Sequence, residues 1–529
     1  MKLSKEQEAE QIYSLFDEFK NAYTAEWERL DRCERLYRGE HWYDIPTEDA
    51  NEPRPVTPIL HSTVENMRSD LMDNFPEAVI TSDRVEYDEL AKTLSTLIKE
   101  NHTECRYMKE FGELTHDLTV GGYMIQETGY DETLNHSLGG TFIRHVDPRN
   151  IMFDPCCTDI QDSRAVFKFT PYTKEWFYNH YPNEAGEMKS DRFRVGRLRD
   201  DVLNADTNDN ILLIECWKRE YNPQTGMYSI HMLKLAGGIL LEDSRELKPQ
   251  GYFSHGEYPF TVTPLFARKG SCLGYGIIDM FKSAQLYSDK LDQIVMKNAL
   301  MASHNKLLVT GASGFDIDDL RDWSKEVHRG ENLNGVTWFP TSPLPSYIID
   351  FANSIRTSIK EESGCNDFSR GMTMGGVTAA SAIAALQEMS SKRSRLAIKA
   401  VHEAFREAVN QEIEVEREFS VFSRQITIED ENGRRQVSLS PDMFFVNTEL
   451  GNKIPLEFKV SVKVQRANSF SVAAHNDLIL QLASMGIITG DVALELLMFD
   501  SKAQALALMR KKTNQTHELN KANTQTLNA

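Results

Sequence analysis

The chain has little of what an enzyme or a membrane protein displays. No G-x-x-x-x-G-K-[ST] loop is present, and the glycine-containing run Gly311-Ala312-Ser313-Gly314 lacks the lysine that such a loop extends to phosphate. There is no G-x-S-x-G elbow, no H-E-x-x-H pair and no Cys/His group at zinc spacing. The seven cysteines, Cys33, Cys105, Cys156, Cys157, Cys216, Cys272 and Cys365, are odd in number, scattered and without a C-x-x-C pair, which suits a reducing cytoplasm. No run approaches about eighteen uninterrupted apolar residues, so no membrane span is expected, and the polar opening Met1-Lys2-Leu3-Ser4-Lys5 has no signal-peptide core. Positive charge is also short: 59 Lys and Arg stand against 79 Asp and Glu, a net charge of -20. That balance argues against a broad basic surface gripping nucleic acid by counterion release. It is compatible with DNA sliding past an acidic, weakly adhesive wall.

What is present is length, a sizeable apolar fraction and helical periodicity. With 529 residues, 40% of them hydrophobic, the chain can build three or four domains or one elongated multi-part subunit. The organising stretch is Gly364 to Phe419. A loop rich in Gly, Ser and Met runs to Gly376, and Val377 to Phe419 then continues without Gly or Pro. Thr378 can cap this helix, and Ile383 and Leu386, then Val401, Phe405, Val409 and Ile413, form an apolar stripe with charged residues on the other faces. At about 1.5 Å per residue the rod reaches roughly 60 Å, long enough to tie separate regions together or to pack against copies of itself. The run Lys392-Arg393-Ser394-Arg395 reads either as a phosphate contact or as a solvated, salt-bridged face. Met372 and Met374 read either as an adaptable apolar patch or as ordinary surface loop.

Along the chain the pattern predicts an α+β, helix-rich subunit. Helices are expected from Lys5 to about Gly39, from His61 to Asn74 and over Glu86 to His116. Strands are expected at Gly121 to Thr128, Gly140 to Val146 and Ala165 to Thr170, with a hairpin of Ile211 to Tyr221 and Met227 to Lys234. Two Gly- and Pro-free helices, Ile277 to His304, amphipathic through Met280, Ala284, Tyr287, Leu291, Ile294, Val295 and Leu300, and Tyr347 to Glu362, enclose a small module: a strand from Lys306, a short helix at Asp316 to His328 and a strand at Val336 to Phe339. A hairpin at Arg424 to Val437, a strand at Leu456 to Val464 and helix over Ser469 to Met509, broken near Gly486 and Gly490, follow the rod. The polar stretch from Lys511 to Ala529 has no apolar pattern and reads as disordered.

One segment offers reactive side chains. Asp154, Cys156, Cys157, Asp159 and Asp162 place carboxylates and thiols close together, a mixture that matches no single metal well. The chemical reading is a metal-dependent enzyme centred on Asp154, Asp159 and Asp162. The structural reading is a Pro-Asp turn with acids at helix N-caps and adjacent buried cysteines.

The order of these features resembles the portal proteins of tailed bacteriophages, especially the large portals of short-tailed phages. The resemblance is carried by Tyr37-Arg38-Gly39-Glu40-His41-Trp42 closing the first helix and by Ile151-Met152-Phe153-Asp154-Pro155 followed by Asp159 and Asp162. Gly274-Tyr275-Gly276 opening a helix and Val377-Thr378-Ala379-Ala380-Ser381-Ala382-Ile383 starting the rod complete it. It implies an elongated subunit, no enzyme and no cofactor, with 1–270 a mixed wing, 271–305 and 346–362 the stem helices, and 306–345 the clip. The tunnel loop would be 363–377, the helix bridging channel and wing 378–419, the returning wing strands 420–468, the crown 469–510 and the tail 511–529. The resemblance further implies a homo-oligomeric ring, usually a dodecamer, at one capsid vertex of the virion, made in the bacterial cytoplasm. Double-stranded DNA would pass its axis beside Asp367, Phe368, Ser369, Arg370, Met372 and Met374. Docking of the terminase motor and later the head-tail adaptor would fall to Asp316, Asp318, Asp319, Arg321, Trp323 and Lys325, with major capsid and scaffolding proteins as further partners. Large portals of this kind can carry a long C-terminal helical barrel, whereas only about twenty residues remain here after Met509.

Overall fold

The computed structural model describes residues 5–46, 52–186, 188, 210–222, 226–303, 306–322, 324–339, 344–364, 392–430, 433–447, 453–464 and 469–497. The first elements are α1 (Lys5–Tyr37), α2 (Ile59–Met72), β1 (Pro76–Thr81), α3 (Asp88–Glu104), α4 (Tyr107–Val120), β2 (Tyr123–Asp131) and β3 (Gly140–His145). Then come β4 (Ile151–Phe153), β5 (Ala165–Thr173), β6 (Asn210–Asn222), β7 (Met227–Ala236), β8 (Ile239–Asp243) and β9 (Phe260–Pro264). A short ladder of β10 (Phe266–Ala267) and β11 (Gly274–Tyr275) leads into α5 (Ile277–Ser303), the ladder of β12 (Leu307–Val309) and β13 (Val336–Trp338), α6 (Ser346–Ser363) and α7 (Lys392–Phe419). The hairpin β14 (Arg424–Asp430) and β15 (Gly433–Leu439), the pair β16 (Phe445–Asn447) and β17 (Lys453–Pro455), β18 (Lys459–Val464), α8 (Ser469–Ser484) and α9 (Gly490–Leu496) close the described chain.

Strand alternation decides the packing of the five-stranded antiparallel sheet, ordered β4-β5-β6-β7-β8. Phe167 and Phe169, Leu212 and Ile214, and Leu233 and Leu235 share one face, where α1 lays Ile12, Phe16, Phe19 and Tyr23 at helical spacing. Phe16 meets Phe167 edge to face with ring centroids 5.5 Å apart, and Phe19 does the same. The intervening residues point the other way. Ile211 and Leu213 pack with Phe177 of a short helix, while Val166, Trp217, Ile230 and Met232 join a core shared with the three-stranded sheet β3-β2-β9.

A larger core gathers α2, α3, α4, α7 and the first residues of α5. The expected stripe on α7 is consumed there: Val401, Phe405, Val409 and Ile413 are buried, and Val415 and Phe419 reach into the sheet core. The 28 described residues of α7, about 42 Å long, thus bridge two cores. The expected start of the rod, 377–391, lies outside the described residues. Its other faces are not all solvated, because Glu412 and Glu416 are both fully buried. Glu412 is held by His102 at 2.8 Å and Glu416 by Arg424 at 3.5 Å, and burial pushes the Glu416 carboxyl upward. Of the basic run, Ser394 is buried and donates to Asp70 at 2.5 Å, whereas Arg395 is exposed.

Two further expectations are corrected, and one unforeseen strand appears beside them. The predicted helix over Glu86 to His116 is two helices, broken where Arg106 adopts φ 57° so that Tyr107 turns inward to stack on Phe405. The chain after Phe75 is a strand, β1, which pairs with β18 antiparallel from Pro76↔Val464 to Thr81↔Lys459. The short helix expected over Asp316 to His328 spans only Ile317–Arg321.

One half-buried ion pair sets a pH dependence. His116 Nε2 lies 2.9 Å from Glu34 Oε2. Burial pulls His116 down, but the hydrogen bond and charge of Glu34 outweigh it and hold the imidazole above its ordinary 6.5. Burial likewise raises Glu34, but His116 outweighs it and holds the carboxyl below its ordinary 4.5. The histidine term is fully present below its unfolded value and lost as pH rises through the elevated folded one. The glutamate term is present above its unfolded value and lost as pH falls through the depressed one. Thermal stability from this pair should be greatest between about pH 4.5 and 6.5. His116→Gln should flatten the alkaline limb by about 1 kcal/mol; thermal melts over a pH series check this, and an unchanged alkaline slope would remove the pair from the account.

Candidate functional site

The candidate elements are α5 and α6, which pack against each other, and the β12–β13 module between them. Glycine sets their start. A Cβ built on Gly122 would fall 2.2 Å from the Tyr275 carbonyl carbon, one on Gly274 2.5 Å from the Gly122 carbonyl oxygen, and one on Gly276 2.8 Å from the Val120 carbonyl oxygen. The end of α4 and the start of α5 therefore cross backbone to backbone, which only glycine permits. Beside this crossing, Arg29 bonds Asp279, the Gly121 carbonyl at 2.7 Å and Glu26 at 2.6 Å. Asp279 also accepts from the Gly276 N–H at 3.3 Å.

The polar side of α5 is the side turned inward. Gln285, Ser288 and Asp289 are buried. Asp289 accepts from His41 Nδ1 at 2.5 Å, from the Thr57 N–H at 3.2 Å and from Gln285 Nε2 at 3.0 Å, while His41 Nε2 faces the Leu36 carbonyl at 3.1 Å. Further along, Gln293 donates to the Pro53 carbonyl at 3.0 Å and Lys297 meets Glu52 at 3.0 Å. Arg356 of α6 reaches across to Asp292 and to Ser288 Oγ, the latter at 3.2 Å, fastening the helix pair.

The apolar side is the side left open. Met280, Tyr287, Ile294 and Met301 are 52%, 63%, 47% and 55% exposed and recur every seven residues. That step returns a side chain to nearly the same helix face, with a drift of about 20°. Tyr347, Ile349 and Phe351 on α6 are exposed as well. The sequence pattern located this stripe but not its orientation, since periodicity says that a helix has two faces and not which of them is wet. Thr57, Asp292 and Arg356 escaped the sequence reading, and His41 entered it only within the run that closes the first helix, with no role assigned. The one available signal was Asp289 and Asp292 on the far side of an apolar stripe.

The other expected site residues divide clearly. Asp316 caps the Ile317–Arg321 helix by accepting from the Asp318 N–H at 3.1 Å. Asp319 bonds Lys325 and His328, and the Lys325 hydrogen bond holds its carboxyl below the usual carboxylate range. Asp318 and Arg321 lie largely exposed, 3.7 Å apart. Trp323 and all six tunnel-loop residues, Asp367, Phe368, Ser369, Arg370, Met372 and Met374, lie outside the described residues, as does the tail from 511.

The Asp154 segment takes the structural form. Asp154 pairs with Arg164 at 2.8 Å, Asp159 caps a turn by accepting from the Gln161 N–H at 2.9 Å, and Asp162 is exposed. The cysteines beside them are not both buried: Cys156 is exposed and Cys157 half-buried. Among the described residues no group of three His, Cys, Asp or Glu is placed to hold a metal ion. No helix among them is long and apolar enough to cross a membrane.

No curated protein matches the chain. A family model described as phage P22-like portal protein matches residues 14–529, which includes both helices, the module between them and α7. The chain belongs to the P22-like phage portal protein family.

Proposed function

We propose that this chain assembles into a closed ring, a dodecamer by family precedent, forming the channel at one capsid vertex through which double-stranded DNA is packaged and ejected. The observation that carries this reading is the inverted amphipathicity of α5: its carboxylates and amides are fixed inside the subunit, and its heptad-spaced apolar row faces out. Exposed apolar rows of this kind are covered by a partner helix, and a ring of identical subunits supplies one for every copy.

In this arrangement 1–270 forms the wing, α5 and α6 the stem, 306–345 the clip, 363–377 the tunnel loop, 378–419 the bridge to the wing, 420–468 the wing return and 469–510 the crown. Arg370 and its small neighbours touch passing phosphates transiently, while the net charge of -20 keeps the wall weakly adhesive. Asp316, Asp318, Asp319, Arg321, Trp323 and Lys325 present the clip to the terminase motor and then to the head-tail adaptor, with capsid and scaffolding proteins meeting the wing. The work is passage, not catalysis. Negative-stain imaging of the purified protein over a range of salt and magnesium should show rings with a central hole. Monomers under every condition, with light scattering in agreement, would overturn the reading.

A further inference from the structure

We propose that Cys157 and Cys272 are a cross-linking pair that oxidises to a disulfide, pinning the β4–β5 connection to the segment that leads into α5. The two residues are 115 positions apart in sequence, yet their sulfurs lie 3.7 Å from each other. The Cys272 N–H donates to the Cys157 carbonyl at 3.0 Å. This main-chain bond holds the two backbones side by side, and a disulfide spans Cα atoms about 4.4–6.8 Å apart. Forming a bond of about 2 Å requires the sulfurs, now 3.7 Å apart, to close by less than about 2 Å.

The chemistry is asymmetric in a useful way. Cys157 is half-buried, Cys272 is buried, and both border the sheet core. The hydrogen bond from Cys272 holds the Cys157 thiol below its ordinary value, while the same contact and burial push Cys272 well up. Cys157, the more exposed thiol, is the attacking group and the buried Cys272 the resolving one. A cleft of roughly 940 Å³, lined among others by Cys272, Asp159, Glu257, Glu407 and Glu414, opens onto the Cys272 side of the pair, while Cys157 is the more exposed of the two thiols. Its carboxylates favour a cationic oxidant over an anionic one.

The oxidant is a small-molecule disulfide. Cys157 thiolate attacks one sulfur of that disulfide and expels one thiolate, forming a mixed disulfide. Cys272, giving up its proton, then attacks the Cys157 sulfur and expels the second thiolate. The protein loses two protons and two electrons, and the reagent is reduced to two thiols. A subunit built in a reducing cytoplasm and then carried outside in a particle would meet such conditions. That setting rests on the portal reading, whereas the chemistry of the purified chain does not.

The test uses full-length protein with cystamine, a cationic disulfide, and in parallel oxidised glutathione, an anionic one. Mass mapping of non-reduced digests should recover the Cys157 and Cys272 peptides joined, formed several-fold faster with cystamine and reversed by a phosphine reductant. Cys156→Ser should keep the cross-link and Cys157→Ser should lose it, which separates the pair from the exposed neighbour Cys156. The oxidised protein should melt a few degrees higher than the reduced form. The proposal is overturned if Cys272 stays alkylatable after Cys156 is fully modified, or if the cross-link survives Cys157→Ser. Either result leaves the imaging test of ring formation untouched.

Discussion

Tyr287→Glu combined with Ile294→Glu should leave a folded subunit that no longer forms rings. Both side chains are about half exposed or more, so the substitutions cost the isolated subunit little: neither belongs to the buried row of Gln285, Ser288 and Asp289 that fastens α5. In a ring each side chain would be covered by the neighbouring subunit. Burying an apolar side chain of this size stabilises an interface by about 1.5–3 kcal/mol, and a glutamate in its place adds a desolvation cost. Two such losses at every contact amount to at least several kcal/mol, or more than about a thousandfold in the concentration needed for assembly. Sedimentation velocity beside a thermal melt reads both halves of the expectation. A variant that still forms rings with the native Tm would show that this row is not the contact between copies.

Gly122→Ala should destabilise the subunit by more than about 3 kcal/mol, enough to remove most soluble protein. A suitable control is already in the chain. Gly238 has φ +91° and Gly122 has φ +92°, but a Cβ on Gly238 meets nothing within 4 Å, whereas one on Gly122 strikes the Tyr275–Gly276 backbone at 2.2 and 2.3 Å. Gly238→Ala therefore reports the cost of the backbone conformation alone, about 1 kcal/mol. The difference between the variants isolates the crossing of α4 and α5. No side-chain rotation can relieve it, because the atoms struck belong to the main chain. Urea midpoints for the pair settle the matter, and near-equal values would mean that the crossing yields easily.

Local pattern made much of this fold legible. The 3.6-residue period placed α1, α5 and α6 to within a few residues, and the residues around Gly226 announced the β6–β7 hairpin. What escaped were relations across distance. His41 and Asp289 are 248 positions apart, and Cys157 and Cys272 carry no spacing signal. The strands β1, β4 and β9 were missed because each is short, and two of them carry a terminal proline that reads as a break. The candidate surface was half legible. Its apolar row could be read from the residues, but its outward orientation depends on Asp289 finding His41 and Thr57, which only the folded chain brings together.

The pairing of β1 with β18 has a consequence for the order of events during synthesis. Val79 and Ser461 are 382 positions apart, so β1 waits, partnerless, while the ribosome makes most of the remaining chain. The α5–α6 hairpin is complete long before that and can expose its apolar row while the helical core still lacks α7 and its last strand. Long-range closure of this kind is slow and leaves sticky intermediates. Nascent chains on one messenger could therefore meet through α5 before their own folding ends. Premature association then becomes a hazard of rapid translation, and slower elongation or cooler growth should raise the yield of well-formed subunits.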